Sequence, residues 1–508
     1  MKRYLFPLAI SAAVFSGCTP SATEAGDADH LVILHTNDTH SAILPDRHDM
    51  GGMARRMVLV DSVRNARENV MLVDAGDAVQ GSMYFTLFGG EVERKLMNAM
   101  GYDLRILGNH EFDLGIDSLA GQWKNVTADR VSTNYDFTGT ALDGLFVPSV
   151  MKTFNEHKVG FVGINLDPKG IIAEENYRGM TYLDAISSAN SEAARLKSEG
   201  AEMVIAVTHI GYDEDSKLCD DLKLAAGSKD IDVIIGGHSH TVIDPSKGVP
   251  AWRVANAEGD TISVLQTGTK GVYLGEIDIN LADKQVNARL IPVDSRLDSR
   301  IDTGYASLIE PYTEKVDSVK NIVIGTSPYD WERESPELLN LMSDFVRERG
   351  AEISGKPVDL SIMNKGGIRN SLNAGEITKG EIIDIAPFNN RIVVLELTGK
   401  DLLENLGIMA AQEGNGVSAN VKVLFDPSTK QINSATIDGK PIREDGKYRV
   451  ATIDYLAAGN DYMTPLSRGV TLAKSKEILY DALIDYIGKG KMDVLMAKPD
   501  RNNRMASF

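Results

Sequence analysis

Cysteine is nearly absent from this chain, with Cys18 and Cys219 the only two in 508 residues. Cys18 falls in a leader-like N-terminus, so no intramolecular disulfide is expected, and an oxidising compartment is neither demanded nor excluded. Positive charge is scarce as well: 53 Lys and Arg stand against 72 Asp and Glu, a formal net charge of −19. A nucleic-acid polymer calls for a basic footprint, so that class of partner is excluded. A small anionic substrate is not, provided that metals or a few arginines make its site locally positive. Beyond the N-terminus no apolar run approaches the roughly 20 residues that span a bilayer. Neither an internal repeat nor a low-complexity tract is found. What remains is an ordinary soluble composition, 43% hydrophobic and 25% charged, long enough for two or three domains with cores of their own.

The N-terminus reads as an export signal. Lys2 and Arg3 precede a mostly apolar stretch, Tyr4 to Phe15, too short to cross a membrane. Phe15-Ser16-Gly17-Cys18 resembles a bacterial lipobox, with Phe15 in place of the usual aliphatic residue. Residues 1–17 are therefore expected to be a signal peptide, Cys18 a lipidation site and 18–29 a flexible tether. The expected location is exported and lipid-anchored at the cell envelope, with the lipid anchor the only membrane contact.

Polar residues that can bind metal recur at the ends of apolar runs. Leu104 to Leu107 reads as a buried strand and opens into Gly108-Asn109-His110-Glu111-Phe112-Asp113. Leu31 to Leu34 opens into His35-Thr36-Asn37-Asp38-Thr39-His40, and Val70 to Val73 into Asp74-Ala75-Gly76-Asp77. Met203 to Val207 ends in Thr208-His209, and Asp232 to Ile235 in Gly236-Gly237-His238-Ser239-His240. Carboxylates, imidazoles and an amide oxygen are the donors of a divalent-metal site, and strand ends are where ligands bind in open α/β sheets. One such strand end is weak evidence. Five in succession point to a shared centre. The helical spacing over Gly51 to Asn69 places Met53, Met57, Val60 and Val63 on one face and predicts that Arg55, Arg56 and Arg64 are solvated. Cys219 is expected in a polar helical segment.

This order of motifs resembles the calcineurin-like metallophosphoesterase superfamily, and within it the 5′-nucleotidase family, over nearly the whole mature chain. The resemblance implies a four-layer α/β/β/α sandwich over residues 30–300, joined by a connecting helix, 301–320, to a smaller α/β substrate-binding domain, 321–508. It implies that Asp38, His40 and His240 hold one divalent metal, that Asn109, His209 and His238 hold a second, and that Asp77 bridges them. His110 and Asp113 would form the catalytic dyad. Two such cations can activate a water and neutralise phosphoryl oxygens, and mixed nitrogen and oxygen donors suit Zn²⁺, Mn²⁺ or Fe²⁺ alike.

In the second half, strands are expected near 358–363, 391–397, 421–425 and 448–453. Helical spacing recurs from Ile301 to Val319, with Pro311 expected to kink or restart the helix. Ser475 to Ile487 is expected to be a closing helix, ended by Gly488. The tail from Met492 gives no reading. Asn364-Lys365-Gly366-Gly367-Ile368-Arg369 resembles the family's Asn-Gly-Gly-Gly-Ile-Arg motif, with Lys365 for the first glycine. By that resemblance Arg369 contacts phosphate and Asn364 the base, and Arg333 is a second candidate phosphate contact. Phe388 and Tyr455 fall in the family's base-clamping segments, with Asp461 positioned for a hydrogen bond to base or ribose. The implied activity is hydrolysis of nucleoside 5′-phosphates by an exported enzyme. UDP-sugar hydrolysis, 2′,3′-cyclic phosphodiester or 3′-nucleotide hydrolysis, general phosphatase activity and a catalytically silent nucleotide-binding protein stand as alternatives.

Overall fold

The computed structural model describes residues 27–213, 218–248, 250–333 and 335–507. The expected signal peptide, Cys18 and the tether to residue 26 lie outside the described residues. Within the last residues of the expected tether, Asp27–Asp29 form a 3₁₀ turn, and Leu281 donates to the Asp29 carbonyl at 2.8 Å.

Two six-stranded sheets build the first half. One runs Gln285–Pro292, Tyr273–Asn280, His30–Thr36, Val70–Asp74, Leu104–Arg105, Asp129–Arg130 in spatial order. The other runs Arg253–Ala255, Thr261–Leu265, Val233–Ile235, Met203–His209, His157–Asn165, Ser149–Phe154. Side chains alternate across a strand. Leu31 and Ile33 thus share one apolar cluster with Val204, Val207 and Ile234 of the second sheet. Val32 and Leu34 instead meet the outer helices Met53–Ala66 and Glu91–Met100. Helices Ala185–Ser198 and Asp221–Gly227 cover the opposite face. The result is the expected four-layer sandwich. Strands buried on both faces read as continuous apolar runs. Because the central strands are parallel, their C-terminal ends gather at one edge of each sheet.

The second half contains a five-stranded sheet ordered Gly416–Val417, Leu360–Met363, Lys447–Ile453, Ile392–Thr398, Val470–Lys474, and a four-stranded sheet. Helix Pro336–Ser354 packs on the first of these.

Several local expectations are corrected. Pro311 does not restart the helix: Thr303–Lys320 is continuous, held by buried Tyr305, Ile309 and Val316 against helices Met83–Phe88 and Glu91–Met100. Tertiary packing outweighs the single hydrogen bond that proline removes. Arg55 and Arg56 are buried rather than solvated. Arg55 is neutralised by Asp49 at 2.7 Å and Asp298 at 2.6 Å, and Arg56 lies where its charge acts on Asp74 and Tyr102. Cys219 precedes its helix, and the closing helix spans Leu479–Gly488. The tail is structured: Met505–Ser507 adds a parallel strand beside Val421–Phe425, and buried Arg504 pairs with Asp344 at 2.7 Å and Asp500 at 2.8 Å.

Asp384 sits on helix Lys379–Ile385, which packs on the connecting helix and on Met83–Phe88. One of its carboxylate oxygens has no hydrogen-bond partner. Burial pushes its pKa up to about 6, against the opposing charges of Lys320 and Lys270 and the Met83 amide. A carboxyl raised in the folded state contributes stability that is complete below its unfolded pKa and is lost as pH rises through the folded value. The affected window runs from about pH 4 to 6. Asp384→Asn should therefore melt higher than the parent above pH 7, by about 2–3 kcal/mol in stability, and match it near pH 4. Thermal melts at both values check this, and a difference independent of pH would remove the titration from the explanation.

Candidate active site

Five strand ends deliver the predicted ligands to one place. Asp38 and His40 follow strand His30–Thr36, Asp77 follows Val70–Asp74, and Asn109 follows Leu104–Arg105. His209 closes Met203–His209, and His238 and His240 follow Val233–Ile235. The side chains form three overlapping groups, Asp38–His40–His240, His40–Asp77–His110 and Asp77–His209–His238, which the resemblance sorts into two donor sets. In the first, His240 Nε2 lies 3.4 Å from Asp38 Oδ1, and His40 Nε2 lies 2.9 Å from His240 Nε2 and 4.0 Å from Asp77 Oδ2. In the second, His209 Nε2 lies 3.2 Å from Asp77 Oδ2 and 3.3 Å from Asn109 Oδ1, and His238 Nδ1 lies 2.9 Å from Asn109 Oδ1. Asp77 Oδ2 is common to both.

The donor set fits two divalent cations. Asp38 Oδ1 is buried with no hydrogen-bond partner, and His40 and His240 aim ring nitrogens at each other. Burial alone would depress His209, yet Asp77 and Asp38 raise its pKa to about 10, so the carboxylates call for positive charge between them. Burial likewise pushes Asp77 up, but the His209 and His110 charges outweigh it and hold the carboxyl well below its usual range. The residues behind the ligands set their orientation. His209 Nδ1 donates to the Ala75 carbonyl at 2.7 Å, and His40 Nδ1 to the Gln80 carbonyl at 3.1 Å, which leaves each Nε2 lone pair facing inward. Asp38 Oδ2 accepts from Asn37 Nδ2 at 2.6 Å and from the His238 amide at 2.9 Å.

The backbone is strained where the ligands sit. Asp38, His40, Asp77, His238 and His240 have φ of 51°, 46°, 52°, 84° and 56°, in the left-handed region that non-glycine residues rarely occupy. Such strain persists only where surrounding contacts over-determine it, and it clusters at functional sites. Gly108 is required for a different reason: a Cβ there would run into the Asp77 carboxylate.

His110 Nδ1 lies 3.0 Å from Asp113 Oδ2, and Gln80 Nε2 donates to the same oxygen at 2.9 Å. Burial would lower His110, but Asp113 and Asp77 outweigh it and raise its pKa, favouring imidazolium. The His110 amide donates to Asp77 Oδ1 at 2.8 Å, tying the dyad to the metal cluster.

Glu111 has a role that sequence reasoning left open. Its carboxylate accepts from the Asp77, Ala78 and Gly108 amides at 3.0, 2.9 and 2.6 Å, clamping together the two loops that carry Asp77 and Asn109. No sequence pattern announces this, because the partners are backbone amides 33 and 34 residues away. His35, although it opens the first motif, points into the core at Gly275 and joins neither donor group.

The second half contributes across a cleft. Arg369 Nη2 lies 3.3 Å from His40 Nε2, and Arg333 Nε donates to the Ile368 carbonyl at 3.0 Å, beside Arg369. The Phe388 ring stacks on His110 with centroids 5.8 Å apart and lies under the Arg369 guanidinium at 5.8 Å. Asn364, Tyr455 and Asp461 form one hydrogen-bonded group: Asn364 Nδ2 donates to Asp461 Oδ2, and the Tyr455 hydroxyl is 3.0 Å from Asp461 Oδ1. The Tyr455 hydroxyl also donates to the Ile171 carbonyl at 2.7 Å, and the Asp461 amide to the Gly170 carbonyl at 2.6 Å. Arg369 and Phe388 thus touch His40 and His110, Tyr455 and Asp461 touch the segment at Gly170 and Ile171, and Asn364 joins them through Asp461.

Comparison with known proteins gives a consistent picture. The calcineurin-like phosphoesterase family matches residues 31–242, and the 5′-nucleotidase C-terminal domain matches residues 317–468. A trifunctional nucleotide phosphoesterase protein of Bacillus subtilis is 30% identical over 85% of this chain, which spans about a third (32%) of that longer relative. The 5′-nucleotidase of Bos taurus is 27% identical over 89% of this chain and 86% of its own length. The crystal structure of a 5′-nucleotidase precursor from Thermus thermophilus superimposes with a TM-score of 0.84 at 27% identity, covering 94% of this chain and 99% of that one.

Proposed function

Since this chain belongs to the 5′-nucleotidase family and is a metal-dependent phosphoric ester hydrolase, we propose that it hydrolyses nucleoside 5′-phosphates to nucleoside and orthophosphate, and that it does so as an exported, lipid-anchored protein. The observation that carries the substrate reading is the placement of Phe388 and Arg369, from the second domain, directly against His110 and His40 of the first.

In this reading Asp38, His40, His240 and Asp77 hold one divalent cation, and Asp77, Asn109, His209 and His238 the other. Bound there, the two cations supply Lewis acidity and a water of lowered pKa. The chain's own residues do the rest. Arg369 and Arg333 draw the phosphoryl oxygens toward the cluster, since guanidinium groups match phosphate geometry. Hydrolysis breaks the bond between phosphorus and O5′, and the departing oxygen must gain a proton. His110 holds one at Nε2 in its imidazolium form, which the Asp113 carboxylate at Nδ1 stabilises. Phe388 and Tyr455 grip the base, with Asn364 and Asp461 at its polar edge. Arg369 and Phe388 already touch the first domain, so substrate entry requires the domains to part and the Tyr455–Ile171 and Asp461–Gly170 hydrogen bonds to break.

The deciding experiment is a substrate panel with Mn²⁺, Zn²⁺ or EDTA: AMP, 3′-AMP, 2′,3′-cyclic AMP, UDP-glucose and p-nitrophenyl phosphate. Metal-dependent hydrolysis with AMP preferred supports the proposal. Preference for the cyclic, 3′ or sugar substrate reassigns the specificity, and metal binding with no turnover leaves a nucleotide-binding protein. Within the panel, Phe388→Ala should raise KM for AMP about 10-fold, the loss of one base-stacking contact, and leave p-nitrophenyl phosphate unchanged. Equal effects on both would remove the base clamp.

A further inference from the structure

Lys270 belongs to a loop that is strapped to the metal-binding motif. Asn37 Nδ2 donates to the Gly268 carbonyl at 2.8 Å, and the Thr267 amide and hydroxyl both donate to Asn37 Oδ1 at 2.8 Å. Thr269 Oγ1 and the Lys270 amide donate to the Asp38 carbonyl at 3.0 and 2.8 Å. Lys270 itself has φ of 57°, a left-handed conformation in which a lysine is rarely held. The loop therefore fixes the Lys270 backbone against Asp38, while Arg369 reaches His40 of the same ligand set.

The charges facing Lys270 are unusual for a half-buried lysine. Burial and the charges of Arg333 and Arg369 push its pKa down, opposed by Asp384 and Asp46. Neither carboxylate pairs with it: among the described residues the Lys270 ammonium has no hydrogen-bond or ion-pair partner. Arg369 meets His40 Nε2 and the Phe388 face but likewise no carboxylate within ion-pair distance among the described residues. Lys270 and Arg369, each without a carboxylate at ion-pair distance among the described residues, bring two positive charges to the metal-ligand motif, a site that a highly charged anion would complete.

We propose that Lys270 is a third phosphate-binding cation, supplied by the catalytic domain opposite Arg333 and Arg369, and that it selects a dianionic terminal phosphoryl group over a monoanionic phosphodiester. The inference rests on the phosphohydrolase reading above and deepens it. Removing one positive charge costs a dianion about twice the Coulomb energy that it costs a monoanion at the same distance, so the penalty falls mainly on monoesters and on orthophosphate.

The test uses the purified, Mn²⁺-loaded chain and the Lys270→Gln and Lys270→Arg variants, with manganese content and melting temperature as controls. Calorimetric titration with orthophosphate at pH 8 should show roughly 10- to 100-fold weaker binding to Lys270→Gln, the range for a lost hydrogen bond to a charged group, and near-parent binding to Lys270→Arg. The ratio of kcat/KM for AMP to that for bis(p-nitrophenyl) phosphate should fall in Lys270→Gln and recover in Lys270→Arg. Unchanged orthophosphate affinity in Lys270→Gln, or an equal loss in Lys270→Arg, overturns the proposal. A parent protein that binds orthophosphate through Lys270 yet leaves AMP intact would overturn the nucleotidase reading and uphold this one.

Discussion

Asp77→Asn is expected to lower phosphate release from AMP by roughly 10³-fold or more, at the upper end of what loss of one preorganised electrostatic group costs. Asp77 Oδ2 is the single oxygen shared by both donor groups, 3.2 Å from His209 Nε2 and 4.0 Å from His40 Nε2. An amide keeps an oxygen to accept from the His110 amide, so the local backbone is preserved. It loses the negative charge that offsets cationic repulsion across the centre. Two measurements belong together here: metal content per chain, expected to fall from two toward one, and turnover. Full activity with two bound metals would sink the bridging assignment.

The second large effect is expected at His110. His110→Ala should reduce kcat for AMP by about 10²–10⁴, the range for a positioned general acid, with metal content unchanged, because His110 contributes no atom to the two ligand sets assigned here. The leaving group provides the sharper check. The alkoxide released from a nucleotide needs a proton, whereas p-nitrophenolate is stable without one. The same variant should therefore hydrolyse p-nitrophenyl phosphate with only a small loss. A loss of equal size on both substrates would show that His110 stabilises phosphoryl charge and does not protonate the leaving oxygen. Asp113→Asn should follow His110→Ala in direction and be milder, since Gln80 still holds the side chain at residue 113 through its amide.

The centre was legible from sequence because its information is local. Each ligand follows an apolar run, and parallel strands buried on both faces have to end at a common edge, so Asp38, Asp77, Asn109, His209 and His238 could be grouped before their distances were known. The central strands of both domains were readable for the same reason. Arg55 and Arg56 were not. A helical pattern registers which residues are apolar, but it is silent about distant carboxylates such as Asp298 that make a buried guanidinium tolerable. That the helix continues through Pro311 was not legible, because the packing of Tyr305, Ile309 and Val316 outweighs the local hydrogen-bond cost. The C-terminal strand Met505–Ser507 was invisible because three residues carry too little periodicity, and its partner lies some 80 residues away.

By itself, then, the sequence determined the kind of protein: two α/β domains, a dimetal cluster of Asp, Asn and His at strand ends, and a second domain carrying arginines and aromatics toward it. Those features depend on residue type and short spacing. Only the tertiary structure decided which groups act on one another across long separations. It placed Glu111 on the amides of two ligand loops, Arg369 beside His40, Phe388 against His110 and the Lys270 amide on the Asp38 carbonyl. The physical reason is that these contacts involve backbone amides, ring faces and unpaired charges, whose partners are chosen by the packing of whole elements and leave no mark on the residues nearby in the chain.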